Sequence, residues 1–255
     1  MLLSDIHGNL KVCEQAVKTA NKLKAPIIIA GDLMNWEYRN PGNRFKKTLK
    51  ILDKCKKNVY VIPGSHEDVK NWLQITDETS KYRKIIDFNR KIIDMKSFYL
   101  IGYGGSNTIV DEIIDKTYFR ISPKKDELML DKLLKKSRKP IVFVSHIPPY
   151  SYLDVAVFKK IKTGKKKLFG IYPAKPGEPG ARTKHVGSRV LKKIVEKNRP
   201  LLHVFGHIHE SAGFEELITH KKKNESRHLM VNAGMKKIIT VNIGKTARVE
   251  KIIQV

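Results

Sequence analysis

Ile27-Ile28-Ile29-Ala30 is an apolar run of strand length, and it ends on Gly31-Asp32. Pro26 stands before it and breaks a helical pattern in which Leu10, Cys13, Ala16, Val17, Ala20 and Leu23 recur through residues 9–24. Before that helix, Leu2 and Leu3 open a short buried strand, so the chain begins as strand, helix, strand. The unit then repeats: a helix carrying Phe45, Leu49 and Leu52 leads to Val59-Tyr60-Val61-Ile62, which stops at Pro63-Gly64.

Further on, Ile85-Ile86, Ile92-Ile93 and Phe98-Tyr99-Leu100-Ile101 read as short strands that close on the turn-rich Gly102-Tyr103-Gly104-Gly105. A helix over about 123–136, capped by Ser122 with Pro123 in its first turn, precedes the strand Ile141-Val142-Phe143-Val144 and then Ser145-His146. Ser188 caps a helix to about Asn198, followed by Leu201-Leu202-His203-Val204-Phe205 and Gly206-His207-Ile208-His209. From about 213 the pattern becomes consecutive strands, at about 213–219, 228–232, 237–243 and 246–253. Alternating strands and helices predict a sheet with helices packed on it, and consecutive strands predict antiparallel pairing. Two sheets stacked between helices satisfy both, an α/β class with α+β character at the C-terminus. A single domain over 1–255 is expected, with one irregular basic insertion at about 159–186 that contains Lys159-Lys160, Lys165-Lys166-Lys167 and a Pro/Gly-rich stretch from Pro173 to Gly180.

The chain has 51 Lys plus Arg against 25 Asp plus Glu, a net charge of +26, so about half of its cations lack any carboxylate to pair with. Such a field attracts phosphate-bearing partners, nucleic acid among them, and makes their binding salt-dependent. The competing reading is a solvated basic surface with no dedicated partner. No apolar stretch reaches the roughly 20 residues that span a bilayer, and no basic leader precedes an apolar run, so no membrane partner and a cytoplasmic location are expected. Cys13 and Cys55 lie in helical patterns without metal or redox spacing and read as reduced structural thiols.

Five loops that directly follow apolar strands carry acidic or imidazole side chains: Asp5-Ile6-His7-Gly8, Gly31-Asp32, Gly64-Ser65-His66-Glu67, Ser145-His146 and Gly206-His207-Ile208-His209. In sheets of this kind the loops at the carboxyl ends of strands converge on one edge, and glycine lets them turn tightly. One such fragment means little, because a lone histidine at a strand end is usually a hydrogen-bonded structural residue. Five in order point to a metal site. Carboxylates with imidazoles suit borderline divalent ions such as Mn, Fe, Co, Ni or Zn, whereas calcium wants oxygen throughout and structural zinc favours cysteine.

In this order and spacing, from Asp5 to His209, the loops resemble those of the calcineurin-like metallophosphoesterases, whose pattern is D-x-H, G-D, G-N-H-D/E, H and G-H-x-H. The resemblance implies a four-layer α-β-β-α sandwich of two mixed sheets flanked by helices, with two divalent metal ions. It implies that Asp5, His7, Asp32 and His209 hold one ion and Asp32, His146 and His207 the other, with Asp32 bridging. By the same resemblance His66 contacts the phosphate and protonates the leaving group as general acid, oriented by Glu67. Two such ions about 3.5–4 Å apart acidify a bridging water, so that hydroxide attacks a phosphomonoester or phosphodiester in line near neutral pH. Imidazole titrates in the range needed to protonate the departing oxygen. Ser65 stands where the family has Asn. As a metal ligand its hydroxyl is shorter and weaker, which predicts a weaker second site.

Asp154, in the sequence after His146-Ile147-Pro148-Pro149, reads as a loop brace, and His185 as an exposed loop histidine with substrate contact as the sharper alternative. Asn35 and Trp36 are candidates to line the pocket, while His203, His220 and His228 have no motif around them. The first ligand falls soon after Met1, which is compatible with a natural start a few residues upstream. Two other functions compete with the hydrolase of phosphate esters. A scaffold or binding protein with a degraded site rests on Ser65, and a nuclease rests on the charge, although the insertion offers only Phe169 and Tyr172 as stacking aromatics.

Overall fold

The computed structural model describes residues 1–35, 38–106, 119, 121–135, 138–163, 168–173 and 177–255. Strand β1 (Leu2–Leu3) leads to helix α1 (Leu10–Leu23), whose first turn is capped by the Asn9 side chain accepting from the Val12 amide at 3.3 Å. Then come β2 (Ile27–Ile29), α2 (Pro41–Leu52) with Asn40 as its cap, and β3 (Val59–Val61). Helix α3 (Val69–Thr76), capped by Asp68, is followed by β4 (Ile85–Asp87), β5 (Ile92–Asp94) and β6 (Tyr99–Tyr103). The middle of the chain holds α4 (Pro123–Lys135), β7 (Ile141–Ser145), β8 (Val155–Thr163), β9 (Leu168–Pro173) and β10 (Arg182–His185). The last part holds α5 (Arg189–Asn198), β11 (Leu202–Phe205), β12 (Gly213–Glu216), β13 (Glu225–Ser226), β14 (Leu229–Asn232), β15 (Lys237–Ile243) and β16 (Ala247–Gln254).

Two large mixed sheets form, in the orders β13-β16-β15-β1-β2-β3-β4 and β12-β14-β11-β7-β6-β5. Strands β1 to β4 run parallel, as do β6, β7, β11 and β14; β15, β16 and β13 extend the first sheet antiparallel, and β5 and β12 are the antiparallel edges of the second. Register sets the two faces. Leu3 pairs with Ile29 and Ile29 with Val61, and these side chains pack under α1, α2 and α3 with Val12, Ala16, Phe45, Leu49 and Trp72. One residue along, Leu2, Ile28, Ala30, Tyr60 and Ile62 face the other sheet and meet Leu100, Val142, Val144, Leu202 and Val231. The far side of the second sheet presents Ile101, Phe143, Phe205 and Met230 to Leu130 and Leu134 of α4 and to Leu191, Ile194 and Val195 of α5. Three apolar layers between four layers of elements make the α-β-β-α sandwich. Strands buried on both faces read as unbroken apolar runs, the pattern seen at Ile27-Ile28-Ile29-Ala30.

The 159–186 region departs from its expected irregularity. β8, β9 and β10 pair antiparallel as a separate three-stranded sheet in the order β10-β8-β9, with Lys159 opposite Tyr172 and Thr183 opposite Val157. Lys165-Lys166-Lys167 lie outside the described residues. β10 is exposed along its length, as an insertion would be. Among the described residues no helix is long and apolar enough to cross a membrane.

Candidate metal centre

The loops after β1, β2, β3, β7 and β11 meet at one edge of the sandwich. Backbone hydrogen bonds join them: the Asp5 amide donates to the Gly31 carbonyl at 3.1 Å, the His7 amide to Asp32 at 2.8 Å and the Gly206 amide to His146 at 3.0 Å. Asp5, His7, Asp32 and His207 all adopt left-handed backbone conformations, with φ of 51°, 48°, 54° and 70°. Each costs on the order of 1 kcal/mol for a residue with a β-carbon, and four together mark a place where aim outweighs backbone comfort. Two glycines are there because other atoms come too close. A β-carbon on Gly64 would run into the Asp32 carboxylate and one on Gly206 into Ser4 and Asp5.

All the sequence-predicted site residues come together. His209 Nε2 lies 3.2 Å from Asp5 Oδ1 and 3.4 Å from His7 Nε2, and His7 Nε2 lies 3.9 Å from Asp32 Oδ2. On the other side of Asp32, His146 Nε2 is 3.3 Å from Oδ2, and His207 joins them, its ring centroid 5.0 Å from that of His146. Donor atoms of Asp5, His7 and His209 cluster within the span of one metal ion, as do those of Asp32, His146 and His207. His66 Nε2 approaches Asp32 Oδ2 at 4.0 Å, and its ring meets that of His7 edge-on.

The donor set fits divalent cations. The Ala30 carbonyl, which can only accept, lies 2.8 Å from His146 Nδ1, so that nitrogen carries the proton. Nε2 is thereby turned into the centre toward Asp32 as the nitrogen that would bind an ion once its proton has left. This is how metal-binding histidines are commonly fixed. His7 Nδ1 is buried without a partner. Burial raises the pKa of Asp32, but the charges of His146, His66 and His7 outweigh it and hold the carboxylate well below its usual range. At Asp5 burial is likewise outweighed, by the His209 hydrogen bond and the charge of His146. Burial drives His207 down to about 4, while at His146 Asp32 overcomes burial and lifts the pKa to about 10. In the metal-free protein a protonated His146 therefore supplies the positive charge that the carboxylates demand.

Ser65 does more than replace a ligand. Its amide donates to Asp32 Oδ1 at 2.6 Å, the His66 amide to the same oxygen at 2.9 Å, and the Ser65 hydroxyl to Oδ2 at 3.0 Å. Glu67 has backbone partners of its own. Fully buried, it accepts from the backbone amides of Asp32 at 3.0 Å, Met34 at 2.8 Å and Gly64 at 2.5 Å, so it ties two loops together. Burial, then the charge of Asp32, push its pKa up to about 8 against the pull of the Met34 and Gly64 amides.

Asn232 was missed. At the end of β14, buried, it donates to the carbonyls of Leu153 at 3.0 Å and Ile208 at 2.9 Å and so braces the His207–His209 loop. A signal exists: like the ligand-bearing strands, Leu229-Met230-Val231 ends on a polar residue with a glycine close behind. His203, given no role, is buried with Nε2 2.9 Å from Ser145 Oγ, directly behind His146. His220 stacks on Tyr152, and His228 Nδ1 donates to the Pro200 carbonyl at 3.2 Å. Asn35 is half-buried, and Trp36 lies outside the described residues. Asp154 is the brace expected of it. His185, instead of lying free on a loop, sits on β10 bonded to that carboxylate at 2.5 Å.

A sequence model described as calcineurin-like phosphoesterase matches residues 1–211. No curated protein matches the chain. Among solved structures, TT1561 of Thermus thermophilus aligns with a TM-score of 0.63 at 16% identity, over 93% of this chain and 91% of that one. A second crystal structure reaches a TM-score of 0.71 at 15% identity, over 99% and 97%. A structure from Staphylococcus aureus, provisionally assigned as a 5'-nucleotidase and holding alpha-ketoglutarate, aligns at 0.50 and 10% over 99% of this chain but 53% of its own. At these identities the structures share the fold.

Proposed function

The chain belongs to the calcineurin-like phosphoesterase family, and from that premise we propose a two-metal hydrolase of phosphate monoesters or diesters. Asp5, His7, Asp32 and His209 would hold one divalent ion, and Asp32, His146 and His207 the second, Mn being the first choice. The observation that carries this reading is the placement of Asp32, whose carboxylate lies within 4 Å of donor nitrogens from both clusters, His7 at 3.9 Å and His146 at 3.3 Å. Both nitrogens face the same oxygen, Oδ2, and a carboxylate oxygen has lone pairs enough for two cations, whereas an imidazole nitrogen has one.

When bound, a pair of divalent cations supplies Lewis acidity and a water acidified toward neutrality. The protein's own residues do the rest. The Ser65 and His66 amides fix one oxygen of Asp32, and the His207 amide, 3.1 Å from both oxygens of Asp5, fixes the other carboxylate. His66, partly exposed at the rim, is placed to meet the ester. Burial lowers its pKa, and the negative charge of a bound phosphate would raise it again, loading the proton that the leaving oxygen takes.

The +26 charge supports a polyanionic substrate or partner, and electrophoretic mobility shifts of a nucleic acid at several salt concentrations test this, a flat salt response counting against it. The hydrolase reading is tested by hydrolysis of a chromogenic phosphomonoester and phosphodiester with Mn, Co, Ni and Zn, in wild type and Asp32→Asn. Metal-dependent turnover that falls by at least about 100-fold in the variant is expected, since loss of a ligand should exceed loss of its supporting hydrogen bond. A folded, metal-loaded protein inert with all four metals would favour the scaffold reading.

A further inference from the structure

An open cavity of about 870 Å³ lies between the start of α4, strand β10 and the start of α5. Its walls include Lys124, Lys184 and Arg189, all exposed, together with His185, Tyr150 and Ser188. No carboxylate lines it among the described residues. Asp154, behind His185 and Gly187, is fully buried and already accepts from His185 Nδ1 at 2.5 Å and from the Gly187 amide at 2.9 Å. Its hydrogen bond to Nδ1 leaves Nε2 as the His185 ring atom available to a ligand. Arg189 is held over the Tyr150 ring at 4.2 Å and, like Lys124 and Lys184, has no ion pair among the described residues. Three cations gathered in a concavity repel one another, and an anion relieves that repulsion. The cavity also sits at the start of α5, whose amide end adds a partial positive charge.

The cavity is joined to the metal centre. The loop that carries His146 runs on to Tyr150 and is zipped to the residues before α5: the Ser188 amide donates to Pro148 at 2.9 Å, and the Tyr150 amide to Ser188 at 3.0 Å. Tyr150 is four positions along the chain from His146, which bounds their Cα separation at about 14 Å. That separation is within the span of a ligand with several phosphates.

We propose that this cavity binds a second phosphate of the substrate, so that the enzyme acts on molecules carrying at least one phosphate beyond the one it cleaves. The inference rests on the hydrolase reading for the word substrate, but its binding claim stands apart from it. Inorganic pyrophosphate is therefore titrated calorimetrically into protein stripped of metal over a chelating resin, where the ligand cluster cannot contribute through bound ions. Wild type is compared with K184A/R189A and, as a control with the same loss of charge elsewhere, K221A/K222A. Loss of two charge-assisted contacts should weaken pyrophosphate at least about tenfold in the first variant and leave the control close to wild type. Equal affinity in wild type and K184A/R189A, or equal loss in both variants, overturns the pocket. A second arm measures turnover of p-nitrophenyl phosphate and of a short oligonucleotide with a terminal phosphate. K184A/R189A should raise KM for the oligonucleotide at least about tenfold more than KM for p-nitrophenyl phosphate. Equal effects on both would overturn the substrate claim. Absence of any turnover would remove the hydrolase reading, while the pyrophosphate titration would still decide the pocket.

Discussion

His146 Nε2 and Asp32 Oδ2 face each other at 3.3 Å, with the other imidazole nitrogen fixed by the Ala30 carbonyl. In the metal-free protein Asp32 keeps a proton on that histidine up to about pH 10, whereas burial has already made His207 neutral, with a pKa of about 4.

A metal ion entering between them must expel the proton on His146. Affinity of the second site should therefore rise with pH, about tenfold per unit between pH 6.5 and 8.5, with about one proton released. Calorimetry of Mn binding in two buffers of different ionisation enthalpy measures that proton. Release near zero at pH 7.5 would mean that His146 is already neutral.

Ser65→Asn places a carboxamide oxygen where the hydroxyl now donates to Asp32 at 3.0 Å. The substitution removes a hydrogen bond that competes for the bridging carboxylate and adds a direct oxygen ligand. The second metal should bind about tenfold tighter, a change comparable to those seen when groups around a metal are altered. Identical stoichiometry and affinity in both proteins would show that Ser65 does not limit the site.

Most of the centre was readable because its ligands lie next to strands that are apolar on both faces, so each loop announces itself in local sequence. What was hidden depends on distant partners or on weak periodicity. Glu67 takes amides from Asp32 and Met34, more than thirty positions earlier, and nothing beside Glu67 signals them. Helix α3 escaped because its eight residues bury only Trp72 and Ile75 while Val69 and Leu73 face solvent. Strands β8 to β10 pair with one another in a basic, proline- and glycine-containing stretch, where no unbroken apolar run marks a core strand.

Gly64 has a negative φ, so alanine there meets no backbone penalty, only the Asp32 carboxylate, the Asp32 amide and the His146 ring. Gly64→Ala should therefore separate close approach from chain flexibility. Overpacking of this kind costs about 1–3 kcal/mol. Because the intruding methyl displaces the bridging carboxylate, metal content after dialysis should fall while far-ultraviolet circular dichroism stays native. Full retention of metal would show that the two loops can part without moving Asp32.

His203 tests how the layer behind the ligands depends on pH. Ser145 Oγ donates to the Ile147 carbonyl at 2.7 Å, so His203 Nε2 must be the donor in its 2.9 Å bond to Ser145, and Nδ1 is left bare between Phe143 and Phe205. Burial alone pushes its pKa down to about 3. The folded form thus stays neutral while the unfolded chain takes up a proton as pH falls below about 6.5. Protons bind preferentially to the unfolded state between those values, so the contribution of His203 to stability is complete above pH 6.5 and is lost as pH falls toward 3. In His203→Gln the amide can still donate to Ser145 but cannot titrate. Between pH 7 and pH 5 wild type should lose about 2 kcal/mol more than the variant, both measured by urea unfolding without metal. Parallel pH profiles would place a proton acceptor at Nδ1 and return His203 to an ordinary titration.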